Sequence, residues 1–334
     1  MSATLSLLLR FFKSQWLFTP PVPTASYEGQ TVIVTGANVG LGFEAARLIV
    51  RLGAAKVILA VRSLSKGEEA RKLIEESEKK SGVVHVWQLD LGSYASVEEF
   101  AARVNKELPR LDVMLENAGM ATQNFNLAEG NEATITTNVI STYLLALLVL
   151  PKLKETASNF NKQTYLTIVS SEVHFMTTIP YITKEKEDTS VIEILNRGQN
   201  MSDRYNVSKL LEVFASRQMV ADHMQPKSPE QSYPVISNFI NPGLCHSSLM
   251  RENLTLGAII KVILGARSTD VGARTLVHAT QAGPESHGQY LTDSAVGPPA
   301  SFVTSEEGKK FQARWWKELS AKLESIHPGI LQNF

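Results

Sequence analysis

The chain predicts a doubly wound α/β fold: a parallel sheet with helices on both faces, in a single domain. Short β-branched runs alternate with helical patterns along most of its length, which is how parallel strands joined by crossover helices read in sequence. A glycine-rich segment, Thr35-Gly36-Ala37-Asn38-Val39-Gly40-Leu41-Gly42, lies between the first such run and the first helical pattern. The 334 residues suffice for a large core, and no repeat or low-complexity tract interrupts the alternation.

Taken in order, Thr31-Val32-Ile33-Val34 reads as a buried first strand, and Phe43 to Leu52 as a helix stopped by Gly53. Lys56 to Ala60 is the second strand, Leu64 to Lys80 a charged helix, and Val83 to Leu89 the third strand. Ser96-Val97-Glu98-Glu99 has the form of a capping box opening the next helix. Leu111 to Leu115 is a fourth strand leading into Asn117-Ala118-Gly119. Thr134 to Lys154 contains the apolar run Tyr143 to Leu150, shorter than the ~20 residues a bilayer requires, so a helix buried on several sides is expected. Tyr165 to Val169 and Val235 to Ile240 are further strands, with a helix from about Tyr205 to His223 between them. Gln289-Tyr290-Leu291 is the last strand.

Residues 1–25 form an N-terminal amphipathic segment ahead of the domain at 26–334. Leu5, Leu8, Leu9, Phe12 and Trp16 fall on one helical face, Arg10, Lys13 and Ser14 lie off it, and Pro20, Pro21 and Pro23 end the pattern. The stretch is too short and too charged to span a bilayer, and it lacks the basic leader and cleavage site of a signal peptide. Two readings stay open: a helix lying in a membrane interface, or one packed on the protein's own surface or a partner subunit of a homodimer. Lys plus Arg and Asp plus Glu number 33 each, so no net field recruits nucleic acid. Cys245 is the sole cysteine, which rules out an intrachain disulfide and fits a reducing, cytoplasmic setting. No His, Cys, Asp or Glu cluster has metal-ligand spacing, and no metal is expected.

The glycine segment has a chemical reading. Glycine allows a sharp turn and lets the backbone approach a diphosphate, while the helix beyond offers unpaired N–H groups and a positive dipole end. The alternative is a tight turn that binds nothing. Tyr205 and Lys209 are one helical turn apart on the same face, so the ammonium is expected to lower the phenol's pKa towards a useful range. Val61 stands where an acidic residue would bind the ribose 2′-hydroxyl of NAD, and Arg62 follows it, which suits the 2′-phosphate of NADP(H).

The spacing T-G-x-x-x-G-x-G, the Tyr-x-x-x-Lys pair and Ser170-Ser171 at a strand end together resemble the short-chain dehydrogenase/reductase family, over about Gly29 to Asp293. The resemblance implies a Rossmann-type fold. It also implies a catalytic set of Ser171, Tyr205, Lys209 and Asn138, with Ser170 structural and Asn138 holding a water on the proton path to the lysine. By the same resemblance the cofactor meets Gly36, Asn38, Gly40, Leu41, Gly42, Asp90, Asn117, Ala118, Gly119, Tyr205, Lys209, Pro242, Gly243 and Ser247, with Arg62 at the 2′ position. Glu116 departs from the family's Asn-Asn-Ala-Gly. Ser170-Ser171-Glu172-Val173-His174, the form Tyr-x-x-Ser-Lys-Leu and the long insertion before Tyr205 look closest to the retinol-dehydrogenase-like branch, which extends to fungal biosynthetic-pathway reductases. His174 is expected to be structural.

The expectation is therefore an NADP(H)-dependent oxidoreductase interconverting an alcohol and a ketone or aldehyde. The segments His174 to Ser202 and Leu244 to Arg267, with Phe175, Met176, Ile179, Tyr181, Leu249, Met250, Leu254 and Leu256, suggest an apolar, medium-to-large substrate. A secondary-metabolite intermediate, a retinoid, a steroid or a lipid carbonyl all fit. The rivals are a reductase of activated double bonds and a non-catalytic nucleotide-binding sensor.

Overall fold

Every residue of β1 (Thr31–Thr35) is buried, because a central strand covered on both faces has no solvent side to alternate with. A computed structural model describes residues 9–226, 233–246 and 264–334. Among them, β1 is followed by α1 (Gly40–Arg51), β2 (Lys56–Val61), α2 (Leu64–Glu78), β3 (Val84–Gln88), α3 (Tyr94–Glu107) and β4 (Val113–Glu116). Then come α4 (Ser141–Phe160), β5 (Thr164–Val169), α5 (Arg204–His223), β6 (Val235–Asn241), α6 (Thr269–Ala279), β7 (Tyr290–Thr292), β8 (Ala295–Val296) and α7 (Glu306–Ile326). The sheet order is β8-β7-β6-β5-β4-β1-β2-β3, parallel except for the β7–β8 hairpin. The strand order reverses between β1 and β4, so a crevice opens where their carboxyl ends part.

Helices α1, α2 and α6 cover one face and α3, α4, α5 and α7 the other, giving two apolar layers on either side of the strands. The stretch from Ala133 to Phe160 is long and apolar enough to cross a membrane, yet 94% of its apolar window is buried in the protein. It is a core helix, as its short apolar run implies. Its first part, Thr136–Ile140, is a π-helical turn, a widening often found where a side chain is put to use.

One sequence expectation is corrected. The helix α3 is capped by Ser93, whose hydroxyl accepts from the Ser96 N–H, and not by Ser96 itself. Ser96 lies inside the helix and accepts from the Asp90 N–H, tying the helix to the end of β3. The C-terminal α7 buries Phe311, Trp315, Leu319 and Leu323, spaced by four residues, and Trp315 donates to the Leu211 carbonyl of α5. That helix holds the back of α5, which presents Tyr205 and Lys209 at its other end.

Candidate active site

The glycine turn sits at the mouth of the crevice. Gly36 and Gly40 adopt φ of +64° and +68°, a conformation that side chains resist, and a Cβ on Gly40 would meet no protein atom. Asn38 lies half-buried between them. A Cβ on Gly42 would strike the Asn117 amide, and one on Gly36 would press on Ala118 at 3.1 Å. Asn117 is fixed by donating its amide to the Thr35 carbonyl at 2.8 Å, while Thr35 Oγ1 accepts from the Asn117 and Ala118 N–H groups. Val39 leaves the start of α1 without a side-chain cap, so the first N–H groups of the helix are not taken up by a capping side chain. An uncapped helix start beside an unfilled approach to the backbone fits a dinucleotide diphosphate. Arg62 stands exposed just past β2 with no hydrogen bond or ion pair among the described residues, and the Asp90 carboxylate accepts from the Gly92 N–H.

Ser171, two residues past β5, and Tyr205, in the first turn of α5, meet through their hydroxyls. Ser171 also accepts from the Val173 N–H, which fixes the turn that follows. Lys209, one turn along α5 from Tyr205, donates to the Val169 carbonyl at 2.8 Å and to Glu212 Oε1 at 2.7 Å. Burial holds the Tyr205 phenol above the ordinary tyrosine range, and the Lys209 ammonium and the Ser171 bond only partly offset it. The expected lowering by lysine is present but loses to desolvation, and Glu212 works against it. Ser170 donates to the Lys209 carbonyl, a structural bond.

Asn138 occupies the π-helical turn beside Gly119. It donates to the Met120 carbonyl and Ser208 Oγ and accepts from the Met120 N–H. Its amide is thus spent on the loop after β4 and on α5, and Lys209 is held by Val169 and Glu212 instead. Sequence reasoning missed Glu212, although Lys209-Leu210-Leu211-Glu212 carries the signal of an i, i+3 ion pair. It also underrated Glu116, which is 3% exposed with neither carboxyl oxygen hydrogen-bonded.

On the far side of the crevice, the Asn241 side chain accepts from Glu172 N–H and Gly243 N–H, shaping the Pro242-Gly243 turn. Arg267 donates to the Pro242 carbonyl, to Ser14 and to Asp293. The N-terminal helix at residues 9–17 therefore packs on this turn through its polar side. Ser14 and Gln15 are buried, and Gln15 bonds the Leu244 backbone and the Gly265 carbonyl. Arg10 lies over the Phe175 ring. The described part of the helix's apolar stripe faces outward, with Leu9, Phe12 and Trp16 exposed and Leu17 exposed beside them; Leu5 and Leu8 lie outside the described residues. Ser247, Leu249, Met250, Leu254 and Leu256 lie outside the described residues.

His174 is fully buried; its Nε2 accepts from the Ala300 N–H, so its Nδ1 donates to the Ser171 carbonyl at 2.6 Å. Burial lowers its pKa to about 4, so it is neutral and structural. Of the expected walls, Phe175 and Tyr181 are half-buried and Met176 is exposed. Ile179 is fully buried in the core and is not a wall.

A glycine turn at the switch point, with a hydroxyl pair and a lysine across from it, is the layout of α/β proteins that work on a bound dinucleotide. A family model described as short chain dehydrogenase matches residues 30–177. The chain is 49% identical to a short chain dehydrogenase/reductase of Cryptosporiopsis sp., over 97% of this chain and 99% of that one. It is 40% identical to a short-chain dehydrogenase of Penicillium roqueforti, over 96% and 84% of the two chains. The chain belongs to the short-chain dehydrogenase/reductase family of oxidoreductases. Among solved structures, an uncharacterised protein from Mycobacterium paratuberculosis aligns with a TM-score of 0.60 at 25% identity, covering 90% of this chain and 96% of that one. An NADPH-bound carbonyl reductase from chicken fatty liver aligns at 0.59 and 19% identity, over 82% and 99%, a likeness of fold.

Proposed function

We propose that the protein is an NADP(H)-dependent oxidoreductase that interconverts an alcohol and a ketone or aldehyde on an apolar, medium-to-large substrate. The observation that carries this reading is Lys209 Nζ held 5.8 Å from the centroid of the Tyr205 ring, one turn along the same helix, with the Ser171 hydroxyl interacting with that phenol. A bound nicotinamide supplies or accepts the hydride. In reduction Ser171 holds the carbonyl oxygen and Tyr205 donates its proton to it; in oxidation Tyr205 removes the alcohol proton. Lys209 favours the phenolate by its charge, and Asn138 orients the loop at Met120 and Ser208 beside it. Gly36, Gly40, Leu41 and Gly42 cradle the diphosphate, Asn117, Ala118 and Gly119 back that cradle, and Asp90 lies towards the adenine. Arg62, exposed and unpaired at the end of β2, supports the choice of the 2′-phosphate.

Phe175 and Met176, which follow Ser171 closely in the chain, support an apolar substrate, and the reading includes a place in a secondary-metabolite pathway, in keeping with the likeness to short-chain dehydrogenases of the fungi Cryptosporiopsis and Penicillium. A retinoid, steroid or lipid carbonyl is the alternative. The reading includes a cytoplasmic protein held peripherally at a membrane, supported by the outward apolar stripe and the exposed Lys13 on the N-terminal helix.

The test is oxidation of NADPH with a panel of aromatic, steroidal and long-chain carbonyls, followed by mass spectrometry of the metabolites that accumulate when the protein is deleted. Tight cofactor binding without turnover of any carbonyl would point to the sensor reading instead.

A further inference from the structure

Directly behind the reacting groups lies a pair of buried carboxyls that the mechanism above does not use. Glu212, on α5, is 2% exposed and holds Lys209 Nζ at 2.7 Å through one oxygen, while its other oxygen has no hydrogen-bond partner. Glu116, at the end of β4, is equally buried and bonded through neither oxygen, and it interacts electrostatically with Glu212. The other polar groups around Glu212 are neutral: the Ser170 hydroxyl after β5, and Tyr143 on α4, which donates to the Glu212 carbonyl and contacts Ser216 Oγ. Tyr205 completes the set from within α5.

We propose that Glu212 is the counter-ion that keeps the buried Lys209 an ammonium, and that Glu116 remains a protonated acid beside it, so the two carboxyls carry one negative charge. The proposal rests on the assignment of Tyr205 and Lys209 as the reacting pair. Lys209 is 5% exposed, and burial alone drives an ammonium towards its neutral form. The Glu212 carboxylate outweighs that burial, and Lys209 is held above its ordinary range. Burial also raises Glu212 itself to about 7 against the pull of Lys209, so the counter-ion carries its full charge only above neutral pH. A second carboxylate at Glu116 would add a like charge to that of Glu212 with no hydrogen-bond donor of its own among the described residues, so it keeps its proton; burial and then Glu212 hold it well above the carboxylate range. Glu212 is thus a positioning residue that acts through Lys209. It secures the charge that favours the Tyr205 phenolate, and it also limits how far that charge reaches, because the ammonium is shared.

The experiment needs no carbonyl substrate, so its failure is separable from failure of the oxidoreductase reading. Full-length protein labelled with ¹⁵N at lysine Nζ is titrated by NMR, with the Lys209 signal assigned by its loss in Lys209→Met. In Glu212→Gln the Lys209 pKa falls by ~1–3 units, the size of one close opposite charge. In Glu116→Gln, which replaces a neutral acid by a neutral amide, it stays where it is in the wild type. The infrared carbonyl band of a protonated carboxylic acid persists above neutral pH in the wild type and is missing from Glu116→Gln. Should Glu212→Gln fail to fold, Glu212→Asp, with its carboxylate drawn back from Lys209, shows a smaller fall in the same signal. A Lys209 pKa unmoved in the Glu212 variants overturns the counter-ion. A fall in Glu116→Gln as large as in Glu212→Gln overturns the protonated acid.

Discussion

At the scale of single residues, Tyr205 is caught between burial, which favours its neutral form, and a lysine whose charge is shared with Glu212. A neutral phenol suits the reductive direction, in which Tyr205 gives up a proton. Tyr205→Phe keeps the ring and removes that proton, so turnover falls by ~10²–10⁴-fold while NADPH affinity is retained. Near-wild-type turnover in this variant would sink the mechanism. On the proposed reading, Val61 and Arg62 govern cofactor choice in the same local way. A charge-assisted bond from Arg62 to a 2′-phosphate is worth ~1.5–3 kcal/mol, or roughly ten- to a hundredfold in affinity. Val61→Asp with Arg62→Ala therefore lowers kcat/KM for NADPH by that order and moves the preference towards NADH. A ratio of NADPH to NADH unchanged by the double substitution assigns the 2′ position to another residue. Ser171, Tyr205 and Lys209 were legible because their chemistry demands fixed spacing on defined elements. Glu212 was not, because a Lys and a Glu three apart usually form an exposed pair, and only the packing of α5 against β6, α4 and α7 shows this one to be buried.

At the scale of elements, the alternation of strands and helices was readable because short β-branched runs recur between helical patterns, the first of which Gly53 stops. The cap of α3 was misread because Ser93 and Ser96 both satisfy the local pattern, and only the chain path from Asp90 chooses between them. The N-terminal helix shows a different limit. Its apolar stripe drew attention to one face, yet the face that packs is the polar one, through Ser14 and Gln15. Periodicity reveals two faces but does not say which partner each will find. The two faces can be tested apart. Gln15→Leu removes bonds to Leu244 and Gly265 worth ~0.5–1.5 kcal/mol each, loosening the turn at Pro242-Gly243 and raising the KM for NADPH roughly two- to tenfold. Phe12→Asp with Leu17→Asp leaves that KM in place and reduces co-sedimentation with anionic liposomes. A KM shift from the outward pair, with Gln15→Leu silent, would reverse the assignment of the faces. Removing the whole helix cannot separate these roles, because one helix carries both the residues that brace the turn and those of the stripe.

At the scale of the molecule, His174 joins the end of β5 to the segment before α7, since its ring bridges the Ser171 carbonyl and the Ala300 N–H. The bridge needs the neutral ring, with Nδ1 protonated and Nε2 accepting. Burial lowers the His174 pKa from 6.5 to about 4 in the folded chain. The unfolded chain therefore binds the extra proton first as the pH falls. Its contribution to stability is complete above the unfolded value and is lost progressively between about 6.5 and about 4, in total on the order of 3 kcal/mol. Glu116, Glu172 and Glu212, whose folded pKa values are raised, act in the opposite sense and add stability as the pH falls, so the slope of the wild type alone mixes them with His174. Comparison with His174→Gln cancels the carboxyl part, because the amide can still accept from Ala300 but does not titrate. Urea unfolding at neutral pH and near pH 5 is the measurement, with activity loss on acidification as its companion. The wild type should lose more stability than the variant over that interval, by ~1.4 kcal/mol for each pH unit fully inside the window. Parallel stability curves for the two proteins would mean that His174 does not couple the active-site strand to the C-terminal helix in this way.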